Sequence, residues 1–260
     1  MVTPIQNYDA YNTRMSKSLI DKMFFVDKIE PDSIVDFGCA NGLLLQELKR
    51  YYPESTPLVG YDLDPKMIAE AKLSSGLPIF SCWSKVQKQL TENAALILSS
   101  VIHEVYTYSK PDEIDLFWNQ VFQSTPPFKY IIIRDLIPSR AIDRPADIND
   151  VVKVYRKFHG TPVLNEFQFH WGSIENNKNL IHFLLKHRYQ ENWKREVKEN
   201  YFPLYREDLL ALIPEGWSVS YHEHYPLPYT KNLVRKEFGI EIKDNTHLKM
   251  IIQRDDQTGG

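Results

Sequence analysis

Ile34-Val35-Asp36-Phe37-Gly38-Cys39-Ala40-Asn41-Gly42 is a β-branched run entering a glycine turn, and Asp62 stands twenty residues beyond Gly42. Between them, Leu43-Leu44-Leu45-Gln46-Glu47-Leu48 reads as a helix crossing back over a sheet, and Leu58-Val59-Gly60-Tyr61 as a second strand ending on acid. Ile34 and Val35 favour a pleated, buried strand. Gly38 and Gly42 let the backbone turn tightly and approach a ligand with no Cβ in the way. The first N–H groups of the helix would point into the turn, where they favour an acceptor or a negative charge. An acid closing the next strand suits the two hydroxyls of a ribose. The stretch therefore predicts a β-α-β unit with a nucleotide at its mouth; the alternative is a buried turn of the same shape that holds no ligand.

What is missing narrows the nucleotide. A dinucleotide fingerprint needs G-x-G-x-x-G, whereas this chain has Ala40 and Leu43 at the second and third glycine positions. It has no G-x-x-x-x-G-K-[ST] sequence, so no triphosphate loop of that kind is expected. The run from Asp36 to Gly42 instead resembles the D/E-x-G-x-G-x-G turn of class I S-adenosylmethionine-dependent methyltransferases, with Ala40 in place of the middle glycine. That resemblance covers residues 32 to about 136 well and the last forty loosely. It implies S-adenosylmethionine as cofactor, with Gly38 and Gly42 lining its methionyl portion, Asp62 holding the ribose, and Asp36, Cys39, Ala40 and Leu63 among the further cofactor contacts. Ser99, closing the fourth strand, belongs to the same implied cofactor set.

Two more cofactor contacts follow from the resemblance. An N-terminal Tyr/Arg segment folds over the cofactor in many such enzymes, which here points to Tyr11 and Arg14; a planar, permanently charged guanidinium suits the methionyl carboxylate. The alternative is an ordinary surface arginine. The third strand of the family often closes on an aspartate for the adenine amine, but this chain has Ser81-Cys82-Trp83. Trp83 is then expected either to stack on adenine or to be part of the core.

The chain has 260 residues, 43% hydrophobic and 25% charged, and a net charge of −3, as in an ordinary soluble protein with ample core. Tyr130-Ile131-Ile132-Ile133 is too short to span a bilayer. No charged region followed by an apolar core opens the chain, so no secretory signal is expected. With Cys39 and Cys82 as its two cysteines and no framework spacing, a reduced, cytoplasmic setting is the default.

Apolar runs at 58–61, 78–82, 94–100 and 130–135, separated by helical stretches, predict a doubly wound, mostly parallel sheet whose ligands bind outside the carboxyl ends of the strands. Residues 217–224 and 247–252 read as two late strands and complete a seven-stranded, class I methyltransferase-like sheet. The expected organisation is a single domain: a helical N-terminal cover over residues 1–30, a cofactor-binding half over 31–137, a helical insertion between the fifth and sixth strands over 138–215, and the final strands over 216–255. One apolar helix face is expected from Leu19, Ile20, Met23, Phe24 and Val26, and one long helix from about Asn179 to Asn200.

Alignment of a nucleophile with an activated methyl group accounts for much of the chemistry expected, and a base is needed only for an acceptor protonated at rest. His103 follows the fourth strand and is the candidate catalytic residue; the alternative is a histidine bonded to backbone at a helix start. Glu104 could orient it. His103-Glu104 is no zinc motif, since Thr107 stands where H-E-x-x-H needs its second histidine, and no metal is expected.

The insertion leaves three readings open. As a lid over a small-molecule acceptor, it would use Tyr155, Phe158, His159, Phe167, Phe169, His170 and Trp171, with Tyr106 a further substrate contact from the cofactor half. As a nucleic-acid surface, it would use Lys153, Arg156, Lys157, Lys186, Arg188, Lys194, Arg195 and Lys198; residues 151–205 carry nine Lys and Arg against five Glu. As a plain helical subdomain, it could form a dimer contact. A pI near 6.3 argues against a dedicated nucleic-acid module. An O- or N-methyltransferase acting on a small molecule is the leading expectation; an RNA methyltransferase and a non-catalytic, methyltransferase-like binding subunit are the alternatives. Oligomeric state is not legible.

Overall fold

The computed structural model describes residues 3–255. Seven strands form one sheet: β1 (Ser33–Phe37), β2 (Leu58–Tyr61), β3 (Ile79–Phe80), β4 (Ala94–Ser99), β5 (Tyr130–Asp135), β6 (Trp217–Tyr225) and β7 (His247–Arg254), in the order β3-β2-β1-β4-β5-β7-β6. The first five run parallel, with Ile34 opposite Leu58, Ile34 opposite Ala95 and Leu96 opposite Ile131. β7 is antiparallel. Every residue of β4 is buried, as a central parallel strand covered on both faces must be. Five α-helices and two short 3-10 turns occupy the connection between β5 and β6.

The chain divides into two compact units. One comprises Asn12–Asp135, Leu212–Glu223 and the chain from Lys249. Its core joins Phe25, Ile34, Leu45, Leu48, Ala71 and Ile97 with Ile132 and Ile251. Helix Pro65–Ser75 shows why its sequence folds locally: the Asp64 carboxylate accepts from the N–H groups of Lys66 and Met67, proline occupies the first turn, and Gly76 ends it in the left-handed region. Met67, Ala71 and Ser75, spaced by four, are its buried face.

The other unit holds the chain up to Tyr11, Leu136–Ala211 and His224–Leu248. Val154, Leu164, Phe167, Ile174, Phe183, Phe202 and Val234 form a second core there. Helices Ile148–Phe158, Pro162–Trp171 and Asn177–Lys186 are N-capped by Asp147, Thr161 and Asn176.

The chain departs from its sequence pattern in several places. The lead-in is two short helices, Tyr8–Ser16 and Leu19–Lys22; Ile20 is 91% exposed, and the unpredicted Phe25 is fully buried. The third strand ends at Phe80, and Trp83 opens a helix. The expected helix from 179 to 200 breaks after Lys186 into a short 3-10 turn at Gln190–Asn192 and a four-residue helix at Trp193–Glu196. Polar demand explains the break. The Lys186 ammonium donates to the carbonyls of Glu196 and Glu199 at 2.7 and 2.6 Å, which requires the later segment to fold back. Asn192 accepts the N–H groups of Gln6 and Asn7, both at 2.8 Å, and returns a bond to the Asn7 carbonyl. Between β6 and β7 the chain forms helix Pro228–Phe238, opened by proline and closed by the left-handed Gly239.

Candidate functional site

The glycine turn is an alternation of left-handed residues: Gly38 at φ 76°, Ala40 at 46° and Gly42 at 76°. A Cβ on Gly38 would meet Val101 Cγ2 at 2.7 Å, and one on Gly42 would meet Ala71 at 3.0 Å. Close packing as well as backbone conformation thus demands glycine at both. Ala40 lacks that freedom, and a left-handed L-residue costs about 1–2 kcal/mol. Asp62 offsets the strain: Oδ2 accepts the Ala40 N–H at 2.8 Å, while Oδ1 accepts the Asp64 N–H at 2.8 Å. The N–H groups of Gly38 and Cys39 donate to the Tyr61 carbonyl, so the end of β2 fastens the whole turn.

A small pocket of about 30 Å³ opens at this turn. Asp36, Gly38, Cys39, Ala40 and Ser99 line it, and the lead-in contributes Met15, Leu19 and Lys22. The Ser99 hydroxyl is buried with no hydrogen-bond partner, an orphan that a bound ligand would satisfy. Burial pushes the Asp36 carboxyl up to about 7, against the pull of Lys22. Burial, reinforced by Arg134, brings the Lys22 ammonium down to about 8, while Asp36, Asp135 and Asp21 act in the opposite direction. Burial also raises the Asp62 carboxyl, opposed by its backbone hydrogen bonds. The Cys39 thiol is pushed far upward, chiefly by burial, and stays neutral.

Beyond β4 the backbone turns sharply. Ser100 is left-handed at φ 58°, its N–H donates to the Arg134 carbonyl at 2.8 Å, and its hydroxyl accepts from Arg134 Nη1 at 3.1 Å. Asp135, the fully buried last residue of β5, accepts the Ile102 N–H at 2.7 Å through Oδ2 and lies 2.7 Å from His103 Nδ1 through Oδ1. Arg134 in turn pairs with Asp21, which also meets Lys249 at 2.8 Å.

The residues expected from the sequence are distributed unevenly. Asp36, Gly38, Cys39, Ala40 and Ser99 share one pocket, and Asp62 braces it. Gly42 stands at the start of helix Leu43–Leu48, and Leu63 is 68% exposed. Tyr11 and Arg14 are half-buried on helix Tyr8–Ser16. Trp83 packs edge-on against Phe37 and Tyr61, with ring centroids 5.6 and 5.5 Å away, and its indole N–H is buried without a partner. Tyr106 accepts from the Trp118 indole at 3.0 Å.

In the second unit, His159 borders a cleft of about 510 Å³ with Tyr155, Asn165, Gln168 and Glu175. His170 is exposed. Trp171 donates to the Val197 carbonyl and lies under the Lys186 ammonium, 5.3 Å from its ring centre. Of the eight basic side chains, Lys186 and Arg195 are buried, and Lys153, Lys157 and Arg188 face Asp150 or Glu237. Lys22 and Asp135 were not assigned a role from sequence. Lys22 carries no motif, whereas Asp135 was visible as the acid closing the fifth strand.

A sheet ordered 3-2-1-4-5-7-6, parallel except for its seventh strand, with a glycine turn after β1, is the class I methyltransferase fold. No family model matches the chain, and no curated protein sequence matches it. Solved structures do. The pyocyanin biosynthetic protein PhzM superimposes with a TM-score of 0.50 at 10% identity, over 92% of this chain and 55% of that one. The plantazolicin methyltransferase BamL gives 0.47 at 16% identity, over 96% and 88%. The small RNA methyltransferase HEN1 gives 0.47 at 15%, over 95% and 26%.

Proposed function

We propose that the protein is an S-adenosylmethionine-dependent methyltransferase that modifies an O or N nucleophile of a small molecule. The observation that carries this reading is the Asp62-braced turn, which sets an acid, a buried ammonium and an orphaned Ser99 hydroxyl around one pocket. These groups fit the cofactor. Each Asp62 oxygen has one backbone donor and a second lone pair for a ribose hydroxyl. Lys22 supplies the cation for a methionyl carboxylate, alongside or in place of Arg14. The cofactor supplies a methyl group already activated on a sulfonium. The chain's own task is to orient the acceptor, exclude water and, where the acceptor is protonated, take its proton at His103. The pairing of basic residues within the insertion favours a small acceptor over nucleic acid.

Thermal unfolding with S-adenosylhomocysteine or NAD tests the cofactor. A rise in Tm with the first alone, abolished in Asp62→Ala, is expected. A shift with NAD alone, or an undiminished shift in Asp62→Ala, would overturn this reading.

A further inference from the structure

We propose that the cleft beside His159 is a binding site for a small organic cation, an amine whose ammonium group is held by Glu175 and whose carbon chain lies over Leu164. The site lies wholly within the second unit and is independent of the methyltransferase reading. Its volume of about 510 Å³ falls in the range of small-molecule sites, about 300–1,000 Å³.

Local structure builds the walls. Helix Ile148–Phe158 buries Val151 and Val154, which leaves Tyr155 at the rim, and His159 follows on the same side four residues later. Gly160, left-handed at φ 73°, reverses the chain, and Thr161 caps helix Pro162–Trp171. On that helix the buried Leu164 forms an apolar floor, with Asn165 and Gln168, three residues apart, on the face beside it. Glu175 arrives on the connection that follows, where its backbone is fixed twice. Its carbonyl accepts the Ala146 N–H at 2.7 Å, and its N–H donates to the Ser173 hydroxyl at 3.1 Å.

The polar inventory selects the charge of the ligand. Glu175 is the one carboxylate in the lining, and no lysine or arginine lines the cleft. Neighbouring cations are engaged elsewhere: Lys153 with Asp150 and the Gly239 carbonyl, Lys157 with Glu237, and Lys178 with the Tyr205 hydroxyl. Among the described residues, no side chain hydrogen-bonds to or pairs with the Glu175 carboxylate or the Asn165 carboxamide. Gln168 Nε2 donates to the Tyr155 hydroxyl at 3.2 Å, which leaves its carbonyl oxygen as a further acceptor. A carboxylate and amide acceptors with no cation of their own suit a positively charged N–H donor. The Tyr155 and His159 rings meet edge to face at 5.7 Å and add a π surface that attracts an ammonium group. An anion would face the carboxylate with nothing to offset the repulsion.

Calorimetric titration of the full chain with a four-carbon diamine, and with the diol and the diacid of the same length, tests the site. Saturable one-site binding of the diamine is expected, with the diol and diacid at least about tenfold weaker, as the loss of a charge-assisted hydrogen bond implies. Glu175→Gln keeps the shape of the side chain and is expected to weaken the diamine about tenfold with Tm unchanged. Glu241→Gln, which removes a carboxylate of the same unit outside the cleft lining, is expected to leave the affinity as it was. Nitrogen-15 NMR locates the ligand: the side-chain amide signals of Asn165 and Gln168, assigned by their loss in Asn165→Asp and Gln168→Glu, are expected to move during the titration. Absence of saturable binding, equal binding of the diol, undiminished affinity in Glu175→Gln, an equal loss in Glu241→Gln, or stationary amide signals would each overturn the proposal. None of these readouts involves S-adenosylmethionine, so they stand whether or not S-adenosylhomocysteine shifts Tm.

Discussion

Ala40 shows how one residue records both a motif and its cost. The family-like pattern has glycine there, and the backbone at φ 46° explains the preference. Replacing Ala40 by glycine removes about 1–2 kcal/mol of left-handed strain and adds about 0.5–1 kcal/mol of unfolded-state entropy. Ala40→Gly is therefore expected to leave stability unchanged or to raise it by up to ~1.5 kcal/mol, as measured by urea unfolding; a clear loss would show that the methyl group packs usefully. At this scale the sequence was informative about the turn, because glycine, alanine and acid at fixed spacing answer to local backbone geometry. It was silent about Lys22. A lysine on a four-residue helix carries no signature until folding buries it beside Asp36.

Among elements, the lead-in has the most direct consequence for the site. Met15 and Leu19 form one wall of the pocket at the glycine turn. A ligand seated there covers this segment, so amide exchange through residues 12–22 is expected to slow when S-adenosylhomocysteine binds. Equal protection in both states would show that the segment does not contact the ligand.

The same element marks where periodicity misleads. Leu19, Ile20, Met23, Phe24 and Val26 suggest one helix face, yet the helix stops at Lys22 and Ile20 turns outward. The long helix expected after Asn179 fails for another reason: Lys186 and Asn192 satisfy their polar groups only on a broken chain. By contrast, β5 and helix Leu43–Leu48 have the bounds read from sequence, since a continuous apolar run and a leucine cluster leave few alternatives.

For the whole molecule, the segment between β5 and β6 brings a core of its own, centred on Phe167, Phe183 and Phe202. Phe183 is fully buried and packs edge-on against Phe158 and Phe167 at 5.3 Å. Phe183→Ala is expected to cost about 3–5 kcal/mol of local stability, visible as lost exchange protection of the amides in helix Asn177–Lys186. Protection equal to that of the native protein would mean that this core contributes little. The 510 Å³ cleft beside His159 belongs to this unit, and no sequence pattern announced it, because its walls come from two helices and the two connections that follow them.

The sequence by itself determined the class of fold and the place of the glycine turn, since strand, turn and helix signals are local and repeat at fixed spacing. Only the tertiary structure decided that Lys22 joins Asp36 at the pocket, that Asp135 grips His103, and that Lys186 and Arg195 of the insertion's basic side chains are buried. Those outcomes depend on which polar groups become buried together, and burial is set by the packing of segments distant in sequence.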